Sequence, residues 1–387
     1  MRLKKILLPI AFSALLLIFP ALNILADGTA IPVIEQQFSS KAYLLMEAST
    51  GQVLKEYDAQ TPLPIGTLNK IMTVLLVAEA IDAKKLNLDD LVTTSAKANS
   101  MKQAVIWLKT GEKMSVKDLL KGVIIGNAND ASVALAEAVA TTEDDFVKLM
   151  NARAKELGMA NTVFKNCTGY DVENQGSTAY DVALMTRELL HHQFLYEYMT
   201  CWTDNLRNGE TSLVNSNVLV KNYNGIIGVK AGFSEAAGNC LSAAATRDGM
   251  TYIAVTLGNA DKDARFSEAK ALMNSGFSGY KLHSPTFSSD VLSPIKVKGG
   301  VENEALVRAE NLVSLVIPKG TEKDIRTEVS LPETIEAPVA EAQIVGEISF
   351  FRGDAFLFKT NLIAIYGIKE MTVGEALCIL LKNVFAV

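Results

Sequence analysis

Apolar positions along the chain fall into short strand-like runs and longer stretches at helical spacing. Lys41-Ala-Tyr-Leu-Leu-Met46 and Gln52-Val-Leu-Lys-Glu-Tyr57 read as two short strands, with Ser49-Thr50-Gly51 as the hairpin turn between them. From Leu68 to Ile81 the apolar residues crowd at helical spacing, with Leu68, Ile71, Leu75 and Ala78 on one face. Ser115-Val-Lys-Asp118 is a capping-box-like start for a helix running to about Ile125. Residues 131–140, 143–156 and 179–190 also predict helices, and residues 226–230, 241–246 and 252–257 predict strands.

The pattern changes near His283. Residues 285–360 carry short β-like runs (293–297, 312–317 and 343–351) broken by Pro, Gly and acidic residues, which predicts a small β domain. Pro332 to Pro338 reads as a loop or linker. The final segment, 365–387, ends in Leu377, Ile379, Leu380, Leu381, Val384 and Phe385, with Glu375 and Lys382 as the charges after Met371. It is too short and too charged to span a bilayer comfortably, so it reads as a helix lying on a membrane surface, with packing on its own protein as the alternative. At the other end, Arg2, Lys4 and Lys5 precede an uncharged run from Ile6 to Ala26. Residues 1–26 therefore read as a secretory signal cleaved after Ala26, with an uncleaved anchor as the alternative. Either way the rest of the chain works outside the cytoplasm.

Length and charge narrow the classes. A chain of 387 residues, 49% hydrophobic, exceeds one average domain. The formal net charge is −6, and cleavage would remove three basic and no acidic residues, taking it to −9. That mild acidic excess gives no footing for nucleic acid. The histidines are His191, His192 and His283 and the cysteines Cys167, Cys201, Cys240 and Cys378. None pairs at metal-ligand spacing, and no metal or organic cofactor is implied. The cysteines read as scattered buried thiols, although export would permit a disulfide. His191 and His192 read as surface residues of a helix, and Asp130 and Glu137 as capping and solvating their helix.

The candidate chemistry begins at Thr67-Leu-Asn-Lys70. A hydroxyl just before a helix, with a lysine one turn on, places both groups on one face, where a neutral amine can take the hydroxyl proton. A simple N-cap is the plain alternative, and the same spacing recurs at Thr94, Ser267, Ser278 and Ser293. The surroundings single out Thr67. Leu63-Pro-Ile-Gly-Thr-Leu-Asn-Lys-Ile-Met-Thr73 resembles the nucleophile motif of the low-molecular-weight penicillin-binding proteins, the D-alanyl-D-alanine carboxypeptidases. Tyr43-Leu-Leu-Met-Glu-Ala-Ser-Thr-Gly-Gln-Val53 is similar to their opening hairpin. Asn127-Ala-Asn-Asp-Ala-Ser-Val-Ala-Leu-Ala-Glu137 resembles their second motif, and Gly225-Ile-Ile-Gly-Val-Lys-Ala-Gly-Phe-Ser234 their third. The match is dense over residues 41–283. The chain also resembles the sporulation-associated branch of the family.

All three motifs depart from the family pattern. The nucleophilic serine is Thr67, whose extra methyl stiffens χ1 and crowds a tetrahedral intermediate. The proton-relaying serine of the second motif is Asn127, and an amide is a poor relay. The substrate-contacting Asn129 is kept. In the third motif Lys230 is kept, to attract the substrate's terminal carboxylate, but the Thr hydroxyl that also binds it is lost at Ala231. One hydrogen bond to a charged group is worth about 1.5–3 kcal/mol, or roughly 10- to 150-fold in rate if it is made in the transition state.

The resemblance implies an α/β (α+β) architecture. A β-lactamase/transpeptidase-like domain over residues 35–283, with an antiparallel sheet flanked by helices, precedes the small β domain and the amphipathic tail. It implies catalysis by Thr67, Lys70 and Asn127, substrate binding by Asn129, Lys230, Gly232 and Phe233, and an oxyanion hole from the N–H groups of Thr67 and Phe233. It implies as partners the D-Ala-D-Ala peptides of peptidoglycan and β-lactam antibiotics, with the C-terminal helix on the membrane surface. The altered motifs leave two readings, a slow acyl-enzyme carboxypeptidase or a catalytically silent peptidoglycan-binding or scaffold protein. A β-lactamase is a third, less supported by the tail and β domain.

Overall fold

The computed structural model describes residues 38–284, 292–311 and 314–384. The leader-like segment 1–26 lies outside the described residues. The core element is a five-stranded antiparallel sheet. Its strands run in the order Val53–Tyr57, Ala42–Glu47, Met250–Asn259, Gly238–Arg247 and Ile226–Ser234, so the strand bearing the third motif forms an edge. The alternating faces of these strands enter two cores. Leu44, Ile253 and Val255 pack with Leu75, Val133 and Val182 of the helices Lys70–Asp82, Asn129–Ala140 and Ala179–Leu189. Leu45, Ala243 and Ala254 pack with Phe266, Leu272 and Met273 of the helix Ala264–Gly279.

The sequence reading contains no counterpart of that last helix, although Phe266, Ala269, Leu272, Met273 and Gly276 recur at helical spacing and are buried. The helix Lys70–Asp82 is also more deeply set than a one-faced pattern implies. Met72, Val74, Leu76 and Val77 are buried beside Ile71 and Leu75, as expected of a helix apolar all round. The Ser115 cap forms as read, its hydroxyl accepting the Asp118 N–H at 3.1 Å.

The C-terminal β region has its own core, built on Ile295, Val307, Ile348, Phe350 and Leu362. It joins a four-stranded sheet (Val307–Ala309, Ala355–Ala364, Ile344–Arg352, Ile325–Ser330) to a three-stranded one (Glu304–Ala305, Ile295–Lys298, Thr334–Glu336). The segment expected to be a loop, Pro332 to Pro338, therefore contains a strand that pairs in parallel with Ile295–Lys298. Its short β-branched centre outweighs the flanking prolines. A terminal helix, Val373–Val384, follows. None of the described helices is long and apolar enough to cross a membrane.

Four readings of single residues need correction. Asp130 does not face solvent: it is 1% exposed, and its carboxylate accepts the backbone N–H groups of Ile106, Leu108 and Ala131 at 2.9–3.1 Å. Glu137 accepts the Ser95 hydroxyl. His192 is buried past the helix end, with Nδ1 2.6 Å from an Asp82 oxygen. Of the four cysteines, all free, Cys167 and Cys240 are buried but Cys378 is exposed.

Asp130 thus ties down the loop that reaches the site described below. Asp130→Ala leaves three buried amides without their acceptor and should lower the unfolding free energy by about 3 kcal/mol or more. Chemical denaturation reads this directly, and a loss below about 1 kcal/mol would mean that water replaces the carboxylate.

Candidate active site

Thr67 sits in a 3-10 turn, Gly66–Asn69, and Lys70 is the first residue of the helix that continues it. Three residues per turn place positions 67 and 70 in line. The turn lies hard against the edge strand. A Cβ on Gly232 would meet Leu68 Cγ at 2.8 Å, and one on Gly66, where φ is +51°, would meet the Phe233 carbonyl at 2.8 Å. Glycine at both positions lets two backbones touch where side chains would hold them apart.

That contact brings the Phe233 N–H to the Thr67 hydroxyl, donating at 3.2 Å. The Asn127 amide donates to the same oxygen at 3.3 Å. Asn127 precedes the helix Asn129–Ala140 and has φ +58°, a left-handed conformation that asparagine tolerates better than most residues. Its Oδ1 is buried with no hydrogen-bond partner.

Lys70 is fully buried. Its Nζ donates to Asn129 Oδ1 at 2.6 Å and to the Thr168 carbonyl at 2.7 Å. Burial, reinforced by the charge of Lys230, holds its pKa well below the usual lysine range. Asn129 is fixed in turn: its Nδ2 donates to the Lys102 carbonyl and its N–H to the Ala104 carbonyl. The Thr168 loop is held by Glu143, whose carboxylate accepts the Cys167 N–H at 3.0 Å and pairs with Lys97 at 2.8 Å. Burial alone would raise the Glu143 carboxyl, but these partners hold it below its usual value.

Lys230 is 4% exposed, and its Nζ donates to the carbonyls of Val123 and Ile124, at the end of the helix Val116–Ile124. Ala231, next along the strand, faces the opposite core beneath the helix Ala264–Gly279. The fold thus brings Thr67, Lys70, Asn127, Asn129 and Phe233 into one constellation, with Gly232 as its contact point. A cleft of about 630 Å³ opens over it, lined by Thr67, Asn127, Asn129, Tyr170, Asp171 and Phe233. The sequence reading missed the Thr168 carbonyl, which has no side-chain signature. It also missed Asp171, whose carboxylate takes the Ser234 hydroxyl at 2.6 Å and the Ala236 N–H at 3.1 Å.

Comparison with known proteins agrees with this arrangement. Residues 29–261 match the family model for D-alanyl-D-alanine carboxypeptidase, and residues 280–370 that for the penicillin-binding protein 5 C-terminal domain. The D-alanyl-D-alanine carboxypeptidase DacF of Bacillus subtilis is 36% identical over 350 residues, covering 89% of this chain and 90% of the relative. The structure of penicillin binding protein 5 from Haemophilus influenzae superposes with a TM-score of 0.80 at 26% identity, covering 89% of this chain and all of that one. Penicillin-binding protein D2 from Listeria monocytogenes, in an ampicillin-bound form, aligns at TM-score 0.57 and 30% identity, covering 62% of this chain and 99% of that one. Fold and site together define a low-molecular-weight penicillin-binding protein. Within that class, the chain belongs to the D-alanyl-D-alanine carboxypeptidase family.

The lysine at the helix end yields a pH prediction. Burial brings the Lys230 pKa down to about 7 from 10.5. Below about pH 7 both folded and unfolded states carry its charge; above it the folded state gives up the proton first. The unfolded state then binds more protons, so stability rises from about pH 7 toward 10. Lys230→Met should flatten that rise in urea unfolding curves taken at stepped pH. An unchanged slope would show that Lys230 titrates as an ordinary lysine.

Proposed function

We propose that this protein is a slow acyl-enzyme carboxypeptidase that trims the D-Ala-D-Ala end of peptidoglycan stem peptides, with Thr67 as nucleophile and Lys70 as base. The hydrogen bonding of Lys70 carries this reading. A neutral amine has two N–H bonds and one lone pair. Asn129 Oδ1 and the Thr168 carbonyl occupy the two hydrogens and leave the lone pair to accept a proton. The Thr67 oxygen accepts from two N–H donors, which leaves its own hydrogen as the one it can give away.

In this mechanism Thr67 Oγ1 attacks the carbonyl carbon of the penultimate D-alanine, and the hydroxyl proton passes to Lys70. The oxyanion is met by the N–H groups of Thr67 and Phe233. As the C–N bond breaks, the departing nitrogen takes its proton from the Lys70 ammonium, because the Asn127 amide cannot relay one. Water then hydrolyses the ester. The unpartnered Asn127 Oδ1 suits a substrate N–H. The naming of DacF as a D-alanyl-D-alanine carboxypeptidase and the ampicillin-bound Listeria protein support a D-Ala-D-Ala peptide and β-lactams as ligands.

The domain layout read from the sequence supports a protein that works outside the cytoplasm, tethered by its tail. Val373, Leu377 and Leu381, spaced four apart on the helix Val373–Val384, are exposed at 88, 59 and 46%. Such an apolar stripe supports docking on a lipid surface. The amide at Asn127 favours a second reading, a catalytically silent protein that binds peptidoglycan.

Intact mass after incubation with penicillin separates the two. The carboxypeptidase reading expects a stoichiometric adduct on the peptide holding Thr67, lost in Thr67→Ala. An adduct that survives Thr67→Ala would remove Thr67 as nucleophile, and no adduct beside an active relative would favour the silent protein. Separately, deleting residues 371–387 should release the signal-cleaved protein from membranes. Continued membrane association would rule out the tail as its anchor.

A further inference from the structure

Arg265 is a charged side chain in an expensive place. It lies in the first turn of the helix Ala264–Gly279, 4% exposed, between that helix and the sheet. Its Nε is buried with no hydrogen-bond partner. Among the described residues its charge is met by backbone oxygens and a ring, with no salt-bridged carboxylate. Nη1 donates to the Gly232 carbonyl at 2.7 Å and to the Cys240 carbonyl at 3.3 Å, and the guanidinium lies 4.7 Å from the Phe266 ring centre. A well-packed apolar residue would be cheaper to bury here.

The carbonyl it grips explains the position. Gly232 C=O and Phe233 N–H belong to one peptide unit, and in a trans peptide they point in opposite directions. The N–H end of this unit donates to the Thr67 hydroxyl at 3.2 Å. The C=O end is held by Arg265. A fixed positive charge on the oxygen draws electron density along the amide and strengthens the N–H as a donor, and the low-dielectric surroundings keep that effect from being screened. The strand ladder opposite Cys240 and the contact with Leu68 already orient this unit, and the guanidinium adds a charge at its oxygen end.

We propose that Arg265 is a positioning residue for the oxyanion hole: through the Gly232 carbonyl it fixes and polarises the Phe233 N–H from the far side of the sheet edge. The proposal rests on the acyl-enzyme reading for its effect on rate, but its electrostatic part is measurable without any reaction.

Two variants test it. Arg265→Gln removes the charge and ends two bonds short of the Nη1 that meets the carbonyl, and Arg265→Lys keeps the charge with fewer donors. The first measurement is the amide resonance of Phe233, by selective 15N labelling of phenylalanine in the ligand-free protein. Its proton should move upfield in Arg265→Gln, and less so in Arg265→Lys. The second is the rate of acylation by penicillin, with the carbonyl stretch of the acyl ester read by infrared difference spectroscopy. Losing an oxyanion-hole donor outright costs about 100- to 1,000-fold, so losing only its polarisation should slow acylation about 10-fold in Arg265→Gln. The ester band should rise in frequency as its hydrogen bond weakens, and Arg265→Lys should recover most of both effects. A merely structural role would lower the melting temperature and leave the band where it is.

A folded Arg265→Gln with an unmoved Phe233 amide overturns the proposal, as does slower acylation with no shift of the ester band. Where Arg265→Gln does not fold, a third variant, the uncharged and similarly long Arg265→Met, decides: a folded Arg265→Met with an unmoved Phe233 amide overturns the proposal too. A wild-type protein that takes no penicillin adduct defeats the Thr67 reading and leaves the amide shift to judge Arg265.

Discussion

A lysine with no exposed surface sets the terms for the rest of this site. Desolvation makes the charged form of Lys70 costly, and the neutral form needs two acceptors and no more. Those acceptors come from segments 59 and 98 residues away in sequence, Asn129 and Thr168. Each must be anchored more firmly than the lysine itself, or the amine would drag it out of place. Asn129 is anchored by the carbonyls of Lys102 and Ala104, on a loop that Asp130 in turn pins by two amides, those of Ile106 and Leu108. The Thr168 loop is anchored by the Asn166 side chain, which accepts the N–H groups of Thr168 and Gly169, and by Glu143. Two buried carboxylates, Asp130 and Glu143, thus fix the loops that supply both acceptors of Lys70.

The second constraint is steric. The Thr67 turn and the edge strand approach closely enough to exclude a Cβ at Gly66 and Gly232. An edge strand leaves alternate backbone groups without a sheet partner. Here one of those free N–H groups, that of Phe233, is aimed at Thr67. The sheet therefore supplies a preset donor at no cost in side-chain order, and the helix Ala264–Gly279 backs the same peptide from the other side.

Much of this was readable in the chain because side chains announce it. The hairpin, the Ser115 cap, the three motifs and the strand over 226–230 all rest on residue types whose spacing carries the signal. Phe233 could be named because it follows Lys230-Ala231-Gly232 directly. What stayed hidden was of two kinds. The carbonyls of Thr168, Lys102 and Val123 have no identity in sequence, since any residue supplies one. Arg265 and Glu143 act on the site only after the chain has folded back, so no local pattern links them to it. Asn127 lies between these cases. As a residue it reads as a poor proton relay; as a backbone position with φ +58° it also reads as asparagine where few others fit.

The three departures from the family pattern do not fall evenly on the machinery. Thr67 keeps the hydroxyl, and both of its N–H donors are in place. Every contact that holds Lys70 is present. The changes at Asn127 and Ala231 instead touch the groups that would pass a proton to the leaving nitrogen and grip a terminal carboxylate. Under the proposed mechanism such a site would keep the means to activate Thr67 and would be poorer at the steps around that event. Acylation by a strained amide asks less of the missing groups than turnover of a peptide does, because ring strain weakens the C–N bond and the amine cannot diffuse away. On the proposed mechanism, formation of an acyl-enzyme is therefore the step the remaining residues would serve best, and peptide turnover the step the two substitutions would limit.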